Sequence, residues 1–123
     1  MAATIHSLVP RENAQRDVAA ISALFRDHGA DAHHILHRKL SSLVLEVACA
    51  TDLITARNLE DMPQRIWGIS LIARDLGLIS LAETAENAGI ALRDPAFAAL
   101  WARVLRLTEA TLDPAHDLRA GLH

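Results

Sequence analysis

Two sets of side chains alternate around the segment that runs from residue 64 to residue 82. Apolar residues recur at three- and four-residue spacing, as expected for the buried side of a helix: Ile66, Ile69, Ile72, Ala73 and Leu76. A second set at the same spacing falls on the opposite side: Trp67, Ser70, Leu71 and Arg74. The pattern predicts a helix that ends at Gly77 and an outward face on which a Trp lies next to a Leu. An exposed apolar pair of this kind indicates an interaction surface.

The same periodicity predicts four more helices. The first covers about 12–28 and ends at Gly29, because glycine readily adopts the backbone conformation that ends a helix. The second and longest covers about 31–57, where apolar residues alternate at four- and three-residue spacing. The third helix, described above, has Pro63 in its first turn.

The last two helices are predicted from their ends as well as from their apolar stripes. Ser80 and Glu83 have the spacing of a capping box, which predicts that the fourth helix begins at Ser80. The fifth helix follows Asp94-Pro95 and runs to about residue 112. Short connections between long helices make neighbours antiparallel, so helices two to five are expected to form an up-down four-helix bundle, with helix one packed across an end.

The length of 123 residues fits one domain, residues 1–123, with 1–11 as a flexible lead-in and 113–123 as a C-terminal tail. Hydrophobic residues make up 51% of the chain and aromatic residues only 3%, so the expected core is aliphatic and the fold all-α. The net charge of −3 and the scattered Arg and Lys residues argue against a nucleic-acid partner. The single Cys49 cannot form an internal disulfide, and neither a membrane span nor a signal peptide is apparent, so a cytoplasmic location is expected.

The letters W-G-I-S-L-I-A-R-D-L-G, residues 67–77, resemble the core motif of histidine-containing phosphotransfer (HPt) domains, roughly His-x-Leu-Lys-Gly-Ser-Ala-x-x-Leu-Gly. Ile69, Ala73, Leu76 and Gly77 stand at the family's helix-packing Leu, small Ala, late Leu and closing Gly. The resemblance covers most of residues 17–112, and its specificity rests on the eleven residues 67–77. It implies an HPt-like bundle with an additional N-terminal helix.

The departures from the HPt motif fall on the residues that carry the chemistry. Trp67 stands at the position of the phosphoacceptor His, Ser70 at that of the Lys, and Leu71 and Ile72 at the Gly-Ser pair. An indole nitrogen is a donor only, so Trp67 cannot accept a phosphoryl group. The chain therefore matches the HPt motif at its helix-packing positions and lacks the usual phosphoacceptor histidine.

The resemblance implies a protein-interaction module of two-component phosphorelay signalling that is not an enzyme and needs no cofactor. Its expected partner is a receiver domain or a histidine kinase. The residues expected to dock on that partner are Trp67, Ser70, Leu71 and Arg74.

Two alternatives stay open. The first is an active phosphotransfer protein that uses another histidine, His37 before His34, since H-R-K-L-S-S-L from His37 faintly resembles the phosphoacceptor helix of dimeric histidine phosphotransferases. That helix usually has an acid after the His, where this chain has Arg38. The second is a structural homodimer that buries the apolar face. His33 and His37 lie one helical turn apart, but no further ligand converges on them, so no metal site is expected.

Overall fold

The computed structural model describes residues 17–112. Helix α1 spans Val18–His28, and a 3-10 turn, Gly29–Asp31, joins it to α2. The remaining helices are α2 (Ala32–Thr55), α3 (Met62–Asp75), α4 (Ile79–Ile90) and α5 (Phe97–Leu112). Residues 17–112 contain no strand, which confirms the all-α prediction. The predicted beginning of the first helix at residue 12, the lead-in 1–11 and the tail 113–123 lie outside the described residues.

Helices α2 to α5 form a bundle around one core. Each helix packs against the next along the chain: α2 against α3, α3 against α4, and α4 against α5. All four contribute buried apolar side chains to the same cluster, among them Leu43, Val47, Ile69, Leu81, Ala85, Trp101, Val104 and Leu107. The stripes read from the sequence are therefore the surfaces that meet in the core.

Glycines end α1 and α3, as the sequence predicts. Gly29 and Gly77 have φ of +53° and +72°, values that side chains with a Cβ rarely adopt. After Gly77, the backbone N–H of Leu78 donates to the carbonyl of Ala73 at 2.8 Å, which closes the last turn of α3.

The predicted capping box at the start of α4 is wrong. The residue that precedes the helix is Leu78, and Ser80 is a buried residue inside its first turn, so Ser80 and Glu83 do not cap it. The carbonyl of Ser80 instead accepts a hydrogen bond from Thr84 Oγ1 at 2.6 Å. The physical reason is that the turn at Gly77 directs Leu78 into the core, which starts the helix earlier than a serine cap would.

Helix α1 begins beside the turn between α3 and α4. The backbone N–H of Asp17 donates to the carbonyl of Gly77 at 2.6 Å, and the Asp17 carboxylate caps α1 by accepting from the N–H of Ala19 at 3.0 Å. At the other end of α1, the Phe25 ring meets the edge of the His33 ring with centroids 4.9 Å apart. None of the residues of α1 is buried, so it contributes no fully buried side chain to the core.

Within the described residues, no helix is both long enough and apolar enough to cross a membrane.

Candidate functional site

The exposed aromatic residue of α3 is Trp67. Its exposed fraction is 62%, and that of Leu71, one helical turn further on, is 47%. Ile69 lies between them in sequence and is fully buried. Because two positions on a helix turn the side chain by about 200°, Trp67 and Leu71 both lie on the side opposite the core. A helix thus presents an indole next to a leucine to solvent.

Ser70 does not belong to this exposed face. It is only 2% exposed, although its position in the sequence pattern grouped it with Trp67 and Leu71. The physical reason is the close approach of α4 at Gly89, where a Cβ would lie 3.2 Å from Ile66 Cγ2. A helix that packs this closely covers positions at the flank of its neighbour as well as its apolar stripe. Leu78, four residues after Arg74, is also buried, at 8%.

Arg74 is exposed but its charge is already paired. Its guanidinium binds both carboxylate oxygens of Glu86 on α4, with Nε–Oε1 at 3.1 Å and Nη2–Oε2 at 3.0 Å, and a further contact joins Nη2 to Oε1. This two-pronged ion pair joins α3 to α4. The side chain therefore stabilises the helix pair and is not a free cation on the surface.

The helices on either side of α3 also have large apolar residues that are exposed. Leu45 on α2 is 62% exposed and Ile90 on α4 is 86% exposed. Each follows a fully buried residue, Leu43 or Ala88, by two positions, so each lies on the side of its helix away from the core. We use the name Trp67 surface for the exposed apolar residues on these three successive helices: Leu45, Trp67, Leu71 and Ile90.

Leu45 and Ile90 were missed from the sequence. The periodic pattern of α2 or α4 alone does not single them out, because neither residue belongs to a second apolar stripe on its own helix. The sequence signal for each is a large apolar residue two positions after a residue of the buried stripe. Whether such a residue lies near Trp67 depends on which helices are neighbours.

Charged pairs join α2 to α3 at two levels of their contact. Arg65 Nη1 donates to both oxygens of Glu46 at 3.2 Å, and this carboxylate also lies over Gly68, where a Cβ would be 3.6 Å from Oε2. The hydrogen bond and the charge of Glu46 raise the pKa of Arg65. At the end of α3, Lys39 Nζ donates to Asp75 Oδ2 at 3.2 Å.

Two open grooves follow this contact and differ in charge. One has a volume of about 560 Å³, and its charged lining residues are Glu46, Asp52, Asp61 and Arg65. The other has a volume of about 250 Å³, and its charged lining residues are Arg38, Lys39 and Asp75. We call the surface that α2 and α3 present together, with these two grooves, the α2–α3 face. The end of this face near Asp52 and Asp61 is acidic, and the end near Arg38 and Lys39 is basic.

The histidines of α2 are surface residues with no shared ligand set. His34 and His37 are both exposed, and the ring of His33 packs against Phe25. In the part of the chain that the structure describes, no three His, Cys, Asp or Glu side chains come together in a way that could hold a metal ion.

A scan against protein-family models found no match for this chain, and searches of curated proteins and of solved structures found none either.

Proposed function

We propose that this protein is an HPt-like interaction module of two-component signalling that binds a receiver domain, or in second place a histidine kinase, without accepting a phosphoryl group. The observation that carries the proposal is the exposure of Trp67. An indole that is 62% exposed near the middle of α3 is of little use to the core but suits a partner surface. Tryptophan is enriched among residues that dominate the energy of protein interfaces.

The chemistry around Trp67 supports binding without phosphoryl transfer. The Trp67 surface offers indole and aliphatic groups, and none of these has a basic lone pair. The nearest cations on α3 are Arg65 and Arg74, and each is paired with a glutamate of a neighbouring helix. The surface therefore combines apolar area with neutralised charges, a composition that favours a protein partner over a phosphate ion.

The proposed mechanism is occupancy. The resemblance of residues 67–77 to the HPt motif places Trp67 where an HPt domain presents its histidine to a receiver domain. A module that docks there through Trp67 and Leu71 would prevent an active phosphotransfer protein from reaching the same receiver. In this proposal, the HPt-like architecture includes α1 as the additional N-terminal helix of the bundle.

The test is an assay of binding and phosphoryl transfer with purified receiver domains from the organism that encodes this chain. Each receiver domain is phosphorylated with a radiolabelled small-molecule phosphodonor and incubated with the protein. We expect a stable complex with at least one receiver domain and no acid-labile phosphohistidine on this chain. Failure of every receiver domain and histidine kinase to bind would overturn the proposal. Label that appears on the wild type and is lost in His37→Ala would favour an active phosphotransfer protein instead.

A further inference from the structure

The α2–α3 face has a charge pattern that matches a second copy of itself. Arg38, Leu45 and Asp52 follow one another at intervals of seven residues on α2, and all three are exposed. Seven residues amount to nearly two full turns of a helix, so the three side chains lie in one line along the surface. The line reads basic, apolar, acidic, with Leu45 at its midpoint.

The two charges in this line have no ion-pair partner within residues 17–112. Among the described residues, the side chains of Arg38 and Asp52 take part in none of the salt bridges. Both nevertheless line grooves on the α2–α3 face, Arg38 at the basic end and Asp52 at the acidic end. Unpaired opposite charges at the two ends of one face favour a partner that presents the same charges in reverse order.

The way α2 pairs with α3 determines which residues of the two helices lie at the same height as Leu45. Lys39 pairs with Asp75, and Glu46 lies over Gly68, so seven residues forward on α2 correspond to seven residues backward on α3. By this register, Leu45 lies level with the midpoint between Trp67 and Leu71. The exposed apolar residues of α2 and of α3 are therefore centred at the same height along the two helices.

We propose that the protein forms a symmetric homodimer in which the α2–α3 faces of two copies pack antiparallel. A two-fold axis beside Leu45 places Arg38 of each copy opposite Asp52 of the other. It also brings the two Leu45 side chains together and sets Trp67 of one copy alongside Leu71 of the other. Such an isologous interface is the commonest kind in soluble oligomers.

The size of the face is that of a weak dimer interface. The 14 residues of α3 extend about 21 Å, so α2 and α3 together present on the order of 400 Å², about half of the roughly 800 Å² per partner of a standard interface. Dimerisation also covers part of the Trp67 surface, so the second copy would compete with a receiver domain. The dimer does not depend on receiver binding, because it forms from this chain alone.

The first measurement is sedimentation equilibrium over protein concentrations from about 1 μM to about 1 mM, which brackets dissociation constants of weak dimers. We expect a monomer–dimer equilibrium for the wild type. Arg38→Glu and Asp52→Arg should each weaken the dimer about tenfold or more, because each change turns two attractive charge pairs into two repulsive ones. Glu83→Arg reverses an exposed charge on α4, outside the α2–α3 face, and should leave the dimer unchanged.

Complementation makes the test specific for this arrangement. A mixture of Arg38→Glu protein with Asp52→Arg protein should form a heterodimer, since every charge pair across that interface is again attractive. The double variant Arg38→Glu/Asp52→Arg should regain the dimer for the same reason. A wild type that stays monomeric up to about 1 mM would overturn the inference. A dimer that is indifferent to both charge reversals, or a mixture that fails to associate, would do the same.

Discussion

Ile66 of α3 lies directly against Gly89 of α4. A Cβ built at Gly89 would come within 3.2 Å of Ile66 Cγ2, closer than ordinary van der Waals contact. The missing side chain lets the two helices approach closely, and this approach buries Ser70 at the flank of α3. The contact therefore separates the exposed side of α3, with Trp67, from the side covered by α4.

Two glycines in helices test this close approach as a matched pair. Replacing a helical glycine by alanine gains up to about 1 kcal/mol in helix propensity where space allows. Gly68→Ala should raise the free energy of unfolding by about 0.5–1 kcal/mol, because its Cβ would meet only the Glu46 side chain, at 3.6 Å. Gly89→Ala should lower it by about 1 kcal/mol through overpacking against Ile66. Urea denaturation of both variants measures the difference, and equal stabilisation of the two would show that the α3–α4 contact is looser than described.

Trp67 and Ile69 should behave in opposite ways when truncated. Ile69→Ala leaves a cavity at a fully buried site and should lower the free energy of unfolding by about 2–5 kcal/mol. Trp67→Ala removes a side chain that is mostly in solvent, and we expect a loss below about 1 kcal/mol. Thermal melts followed by circular dichroism measure both. If Trp67→Ala proved as destabilising as Ile69→Ala, the tryptophan would be a core residue, not a surface one.

The hydroxyl of Thr84 links α4 to α5 in the interior. Thr84 is 1% exposed, and its Oγ1 accepts from Arg103 Nη1 at 2.5 Å while donating to the carbonyl of Ser80. Thr84→Val keeps the shape but removes the acceptor, so we expect a loss of about 1–3 kcal/mol in the free energy of unfolding.

The control for this hydroxyl is Thr111→Val. Thr111 is half-buried and its hydroxyl donates only to the carbonyl of Leu107, so the expected loss is below about 1 kcal/mol. Thr84→Ser, which retains the hydroxyl, should recover part of the stability lost in Thr84→Val. A Thr84→Val protein as stable as the wild type would mean that the hydrogen bond from Arg103 contributes nothing net.

The sequence was sufficient to predict the helices and the buried stripes of α2 to α5, because apolar periodicity and the glycines at residues 29 and 77 are local signals. The start of α4 was not predictable in this way. A serine followed by a glutamate looks like a cap, but the packing of Leu78 into the core decides where the helix begins.

The composition of the Trp67 surface also depended on contacts between helices. The periodic pattern grouped Ser70 with Trp67 and Leu71, since the pattern of one helix does not reveal how closely its neighbour packs. Leu45 and Ile90 were missed for the same reason: the pattern of a single helix does not reveal that α2 and α4 are the neighbours of α3.

The central claim is that Trp67 binds a protein partner, and calorimetric titration of a receiver domain with the wild type and Trp67→Ala tests it most directly. The matched control is Val18→Ala on α1, an apolar residue that is 73% exposed and distant in sequence from the Trp67 surface. The titration is done at protein concentrations where sedimentation shows a monomer, so that self-association does not enter the result. We expect Trp67→Ala to weaken binding by about 2 kcal/mol or more, roughly thirtyfold, and Val18→Ala to leave it unchanged. Equal affinities for the wild type and Trp67→Ala would contradict the account.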